Sequence, residues 1–218
     1  MKTRLISALQ PDSLTHRRRR TPVPLFLDDV LAMPLHALRR GPYYIIGQDL
    51  PDAYRALLRR EEPAWMNEYT NRVVDKDEAG EQRLRENLRW LCEALGTSLD
   101  RVGQSHFVPP GVVLTDLAEA DVYWERHLEL ISTAQPDVII TYGISDISPF
   151  WYLYEHSDAL GDTWDHIPAG HGNWRCKAFT GSFGGRRIPV VGLPHLSRYR
   201  LSGKTQVIDW IKAKRVLD

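Results

Sequence analysis

The chain has 218 residues, 43% of them hydrophobic, with 28 basic side chains, 28 acidic ones and two cysteines. That length and apolar content suit a single domain with a sizeable core and exclude disorder of the whole chain. No apolar run approaches the roughly 20 residues that span a bilayer, the N-terminal apolar stretch is too short and interrupted for a signal peptide, and two cysteines supply neither a disulfide framework nor the four thiolates of an ordinary iron–sulfur cluster.

Residues 1–24 read as an irregular N-terminal arm: four arginines at 17–20 are followed by Pro22 and Pro24. A solvated tail and a nucleic-acid contact both fit such a charge run. The domain proper is expected over residues 25–218. Leu25, Leu27, Val30, Leu31, Leu35 and Leu38 recur at roughly helical spacing, interrupted by Pro34. Tyr43-Tyr44-Ile45-Ile46 then runs into Gly47, the pattern of a buried parallel strand entering a loop. A short helix is expected over 52–60. Residues 81–95 are amphipathic, with Leu84, Leu88, Leu91, Cys92 and Leu95 at spacings of three and four, and Gly96 as the stop.

A second buried strand is expected at 111–116 and a helix at 121–134, with Val122, Leu128 and Ile131 on one side. A third strand over 136–143 ends at glycine, and a helix follows at 146–160. Residues 161–186 show little periodicity. A fourth strand, 188–192, runs straight into Leu193-Pro194-His195-Leu196-Ser197. The chain closes on a basic amphipathic helix over 204–215. Four apolar runs alternating with helices predict an α/β fold, three-layer α/β/α, with a short, mostly parallel four-stranded sheet. Ligands in such folds sit outside the carboxyl ends of the strands. There the chain carries Asp49, Asp116, residues 142–145 and His195.

The net charge of zero conceals an asymmetry. Residues 101–170 hold 11 acidic and 2 basic side chains (−9), and residues 171–218 hold 2 and 10 (+8). The basic segment is either a local anion-binding face or an ordinary surface that pairs with the acidic one. His156, His166, His171 and Cys176 match no standard zinc spacing, so no metal is expected. The glycine-rich stretch at 181–185 precedes a strand, which argues against a phosphate cradle at a helix start.

Ile45-Ile46-Gly47-Gln48-Asp49 resembles the first motif of the uracil-DNA glycosylase superfamily, in which a strand delivers Gly-Gln-Asp to the site. Pro194-His195-Leu196-Ser197 is similar to that superfamily's last motif, His-Pro-Ser-Pro-Leu-Ser. The order of the intervening elements also matches, and the resemblance covers about residues 41–215. It implies a monomeric, cofactor-free enzyme that hydrolyses the N-glycosidic bond of uracil or another damaged base in DNA, as in base excision repair; with no signal peptide or spanning run in the sequence, the expected location is cytoplasmic. Asp49 would stabilise the positive charge that builds on the sugar and orient a water. His195 would donate to the departing base at O2, as an oxyanion donor does. Taken alone, Asp49 also fits a turn residue and His195 a surface histidine.

The resemblance further implies base binding by Gln48 and Asp116, with Trp65 or Tyr69 as the stacking aromatic. Tyr199 stands four residues after His195, where the family places a side chain that wedges into the duplex. Ser197, Arg198, Arg200 and Lys204 would meet phosphates; Arg198 and Arg200 equally fit exposed charges. Two departures affect base choice. Leu50-Pro51 replaces the family's Pro-Tyr after Asp49. Asp116 stands where the most familiar members have asparagine, and an ionised aspartate accepts hydrogen bonds without donating them; a helix cap is its alternative role. Two other functions fit the pattern: a weak or inactive glycosylase-like protein that binds nucleic acid, and a Rossmann-like enzyme that cleaves free nucleosides or nucleotides.

Overall fold

The structure, a computed structural model, describes residues 39–47, 79–109, 112, 114–159 and 165–215. The arm at 1–24, the helical pattern that begins at residue 25, the helix at 52–60, and Gln48, Asp49, Trp65 and Tyr69 lie outside the described residues.

The chain is a mixed α/β protein built on one six-stranded sheet. The strands are β1 (Tyr43–Gly47), β2 (Gly103–His106), β3 (Val138–Tyr142), β4 (Asp165–Pro168), β5 (Arg175–Phe183) and β6 (Arg186–Leu193). The helices are α1 (Ala79–Ala94), α2 (Trp124–Ala134), α3 (Pro149–His156) and α4 (Thr205–Lys214). The strand order is β2-β1-β3-β6-β5-β4. The first four in that order run parallel, and β5 and β4 are added antiparallel beyond β6.

The sheet therefore has six strands, not the four expected, and two of its pairings are antiparallel. The second parallel strand is also displaced. It is Gly103-Gln104-Ser105-His106, not 111–116. Its side chains are polar yet buried, and Gln104 is held there by donating from Nε2 to the Leu99 carbonyl at 3.0 Å. Val112 and Leu114 instead pack against the core from a connecting segment. The hairpin β5–β6 turns through Gly184 and Gly185, both at positive φ (57° and 81°). That backbone suits a two-residue hairpin turn, which favours glycine at both positions.

Alternation along the strands splits the core between the two faces of the sheet. Tyr43 and Ile45 of β1, with Ile140 and Tyr142 of β3, pack with Leu84, Leu88 and Leu91 of α1 and Val207, Ile208 and Ile211 of α4. Tyr44 and Ile46, with Ile139 and Val190, pack with Leu130 and Ile131 of α2 and Phe150 and Leu153 of α3. The α1 stripe is as the sequence predicts. The helix expected at 121–134 begins as a 3-10 turn over Leu117–Tyr123, which leaves Val122 79% exposed and not on the core face. Pro149 fixes the start of α3 three residues later than expected, at the first helical position where its missing N–H costs nothing. Among the described residues no helix is long and apolar enough to cross a membrane.

His127 on α2 is buried, and its Nε2 bonds the Phe107 carbonyl at 2.9 Å. A second proton would sit on Nδ1, which has no hydrogen-bond partner among the described residues. Burial accordingly lowers the His127 pKa from 6.5 to about 4. The unfolded chain then binds a proton that the folded chain refuses between pH 6.5 and 4. This contribution to stability is complete above pH 6.5 and is lost as pH falls toward 4, reaching about 3 kcal/mol. Urea denaturation at several pH values checks it. His127→Gln, which keeps a donor for Phe107, should flatten the acid limb by that amount.

Candidate active site

The parallel register aligns the carboxyl ends of three strands: Gly47 is opposite Tyr142, and Tyr142 opposite Leu193. Gly47 and Leu193 thus stand two strand spacings apart, about 10 Å. Beyond that row lies a cleft of about 720 Å³, within the range of small-molecule sites. Gly143, Ile144 and Ser145 form its wall after β3. Pro194, His195, Ser197 and Arg198 form the wall after β6. Asn173, Trp174, Arg175 and Lys177 close it from the β4–β5 hairpin. The described lining carries three cationic side chains and no carboxylate, so it favours an anionic ligand.

His195 is half-buried at this cleft. Its Nδ1 accepts from the backbone N–H of Ser197 at 3.3 Å and lies 2.7 Å from Ser197 Oγ. An Nδ1 that accepts an N–H leaves the proton of the neutral ring on Nε2. The edge-to-face ring of Tyr142, 5.6 Å between centroids at 88°, supports the imidazole from the sheet side. In the neutral ring the donor is then Nε2–H.

The loop that carries it is built by Asn87, a polar residue inside the apolar stripe of α1. Asn87 Nδ2 donates to the carbonyls of Leu196 (2.7 Å) and Tyr199 (2.6 Å), and its Oδ1 accepts from the Leu201 N–H (2.9 Å). The N–H groups of Arg198 and Tyr199 both reach the His195 carbonyl at 2.9 Å. A polar residue at helical spacing from Leu84, Leu88 and Leu91 signals a buried hydrogen-bond network, and that signal was legible in the sequence.

Of the residues singled out from sequence, the structure brings His195, Ser197 and Arg198 to the cleft. Tyr199 is not an exposed wedge. Its ring is fully buried in the core, and its hydroxyl donates to the Ala169 carbonyl at 2.6 Å. Arg200 is exposed and bonds Ser202 Oγ at 3.1 Å. Lys204 Nζ donates to the Gly170 carbonyl at 2.6 Å and so pins the β4–β5 turn. Asp116 is outside the cleft lining. It caps the 3-10 turn by accepting from the Ala118 N–H at 3.0 Å. Asn173, Trp174, Arg175 and Lys177 are the cleft residues that sequence reading passed over, because 161–186 lacks periodicity.

The four candidate metal ligands do not converge. His156 bonds the Tyr152 carbonyl and pairs with Asp121 at 2.9 Å. Cys176 is buried, which pushes its thiol up to about 12. No group of three or more metal-ligating side chains occurs among the described residues.

Gly47 links the strand ends to the histidine. A Cβ there would come within 2.6 Å of Tyr142 Cζ and closer still to its hydroxyl oxygen. Gly47→Ala must therefore push the ring that braces His195. The expected cost is about 1–3 kcal/mol, as for overpacking elsewhere. Thermal melts of Gly47→Ala, Tyr142→Phe and the double variant check this, with the double losing less than the two single losses added. No protein-family model matches the chain, and no curated protein matches it.

Proposed function

We propose that the chain is a DNA N-glycosylase with the three-layer α/β/α plan of the uracil-DNA glycosylase superfamily, acting on uracil or another damaged base. The observation that carries this reading is His195, whose Nδ1 accepts from the Ser197 N–H, in a cation-lined cleft at the strand ends. In this chemistry the bond from C1′ to the base nitrogen breaks, and its electron pair leaves with the base. The Nε2–H of His195 donates to the oxygen where that negative charge collects. The cation left on the sugar is met by Asp49, in the role its motif implies; water adds its hydroxide to C1′, and its remaining proton neutralises the departed base anion. The products are the free base and an abasic sugar. The target nucleotide must be extruded or already single-stranded to reach such a cleft. The reaction is a hydrolysis and calls for no redox cofactor.

The test is incubation with end-labelled oligonucleotides containing uracil, hypoxanthine, xanthine or a thymine mismatch, followed by alkali. Strand breaks at the modified position support the reading, and an intact panel removes it. A second reading, which the three cationic side chains of the lining also fit, is a protein that binds nucleic acid without cleaving it. That protein would show salt-dependent DNA binding and no abasic product.

A further inference from the structure

We infer that Trp174 is a nucleobase-stacking platform, and that with Arg175, Lys177 and Arg198 it makes this cleft selective for single-stranded DNA. The inference rests on the reading of the cleft as a DNA site and adds the form of DNA it takes. Trp174 is a large aromatic, 39% exposed, among a described set in which most rings are buried. It stands at the cleft beside three cations. Indole faces interleaved with lysine and arginine are the arrangement that holds single strands, with bases stacking on the ring and phosphates meeting the charges.

The backbone beneath the platform is hydrogen-bonded in place without any ligand. The Trp174 carbonyl accepts from the Ala169 N–H at 2.8 Å, and its own N–H donates to the His171 carbonyl at 3.1 Å. The His171 ring meets the indole at 4.8 Å and 61°. The turn is tied to the rest of the molecule by Tyr199 at Ala169 and Lys204 at Gly170. Side chains read from sequence as DNA contacts thus build the support for one. Pre-organisation of this kind reduces the ordering cost of binding. Lys177 Nζ lies over the Trp151 ring, 4.7 Å from its centroid.

Anisotropy of a short fluorescein-labelled oligothymidylate, titrated with the full chain, tests the inference without any base excision. The wild type should bind the single strand more tightly than a duplex of equal length. Trp174→Ala should weaken single-strand binding by about 5- to 150-fold, the span of base–aromatic stacking, without altering the salt slope. Trp174→Phe should keep most of the affinity. Arg175→Ala should lower the salt slope by about 0.7, the value for one phosphate contact on a single strand. Unchanged affinity in Trp174→Ala, or tighter binding of duplex, overturns the inference. So does equal, Trp174-dependent binding of polyglutamate, which would mark an acidic-peptide site. Binding that needs Trp174 in a protein that releases no base leaves this inference standing and removes the glycosylase. Base release with undiminished binding by Trp174→Ala does the reverse.

Discussion

On the glycosylase reading proposed above, replacing His195 with alanine is expected to lower base release about 100- to 1000-fold, the loss when one donor to a developing oxyanion is removed. The structure makes the substitution a clean one. His195 contributes its carbonyl to the loop, accepting from Arg198 and Tyr199 at 2.9 Å, and alanine keeps that carbonyl. The side chain is half-buried and borders the cleft, so its loss opens no core cavity and the melting temperature should hold within a few degrees. On that reading the donor acts on charge that appears only as the bond breaks. The fall should therefore be equal in kcat and kcat/KM, with KM unchanged. Single-turnover excision from a uracil-containing oligonucleotide is the measurement. Full activity in His195→Ala would dismiss the leaving-group role. Ser197→Ala should give a smaller loss, because the backbone N–H of Ser197 still reaches Nδ1 at 3.3 Å and keeps the tautomer.

The parts legible in the sequence share one property: their partners are local or uniformly apolar. β1, β3 and β6 read as strands because parallel strands buried on both faces are near-continuous apolar runs. The α1 stripe reads because its period is 3.6. β2 did not read, since Gly103-Gln104-Ser105-His106 is polar and its burial is decided by pairing with β1. β5 did not read either, since its inward positions include the small Cys176 and Ala178, although Gly184-Gly185 offered a hairpin signal. The site follows the same division. His195 was placed at the strand ends because it follows directly on a strand, and it borders the cleft there. Tyr199 was placed on the surface because counting from His195 sets its distance along the chain but not its direction. That direction is set by Asn87, more than one hundred residues earlier, which draws the backbone onto α1 and turns the ring into the core. Asp116 reads as a cap from its local chemistry, and it caps the 3-10 turn; its other reading, as a base reader, expected it at a strand end, and residues 112 and 114–116 are not in a strand.

Asn87 is consequently the residue whose loss should most disturb both fold and site. Its amide makes three buried hydrogen bonds, to the Leu196 and Tyr199 carbonyls and from the Leu201 N–H. Asn87→Ala strands two acceptors and one donor away from water. At about 1–3 kcal/mol for each unsatisfied group, discounted for local relaxation, the cost is about 3–6 kcal/mol. That is a large share of an ordinary domain's stability and should lower the melting temperature by about 10 °C or more at this chain length. Asn87→Asp is the sharper control. It retains the acceptor for Leu201 but turns a carboxylate oxygen toward two carbonyls, so it should be no better than alanine at pH 7. Arg83→Ala serves as the opposite control, because its contact with the Ser197 carbonyl is exposed and long at 3.4 Å, and the variant should melt close to wild type. Base release should fall in Asn87→Ala even below its melting transition, since the segment that orders His195, Ser197 and Arg198 loses its anchor. If Asn87→Ala melts and reacts like the wild type, the loop is held by the packing of Leu196, Tyr199 and Leu201 alone, and the hydrogen bonds of Asn87 satisfy the backbone without positioning it.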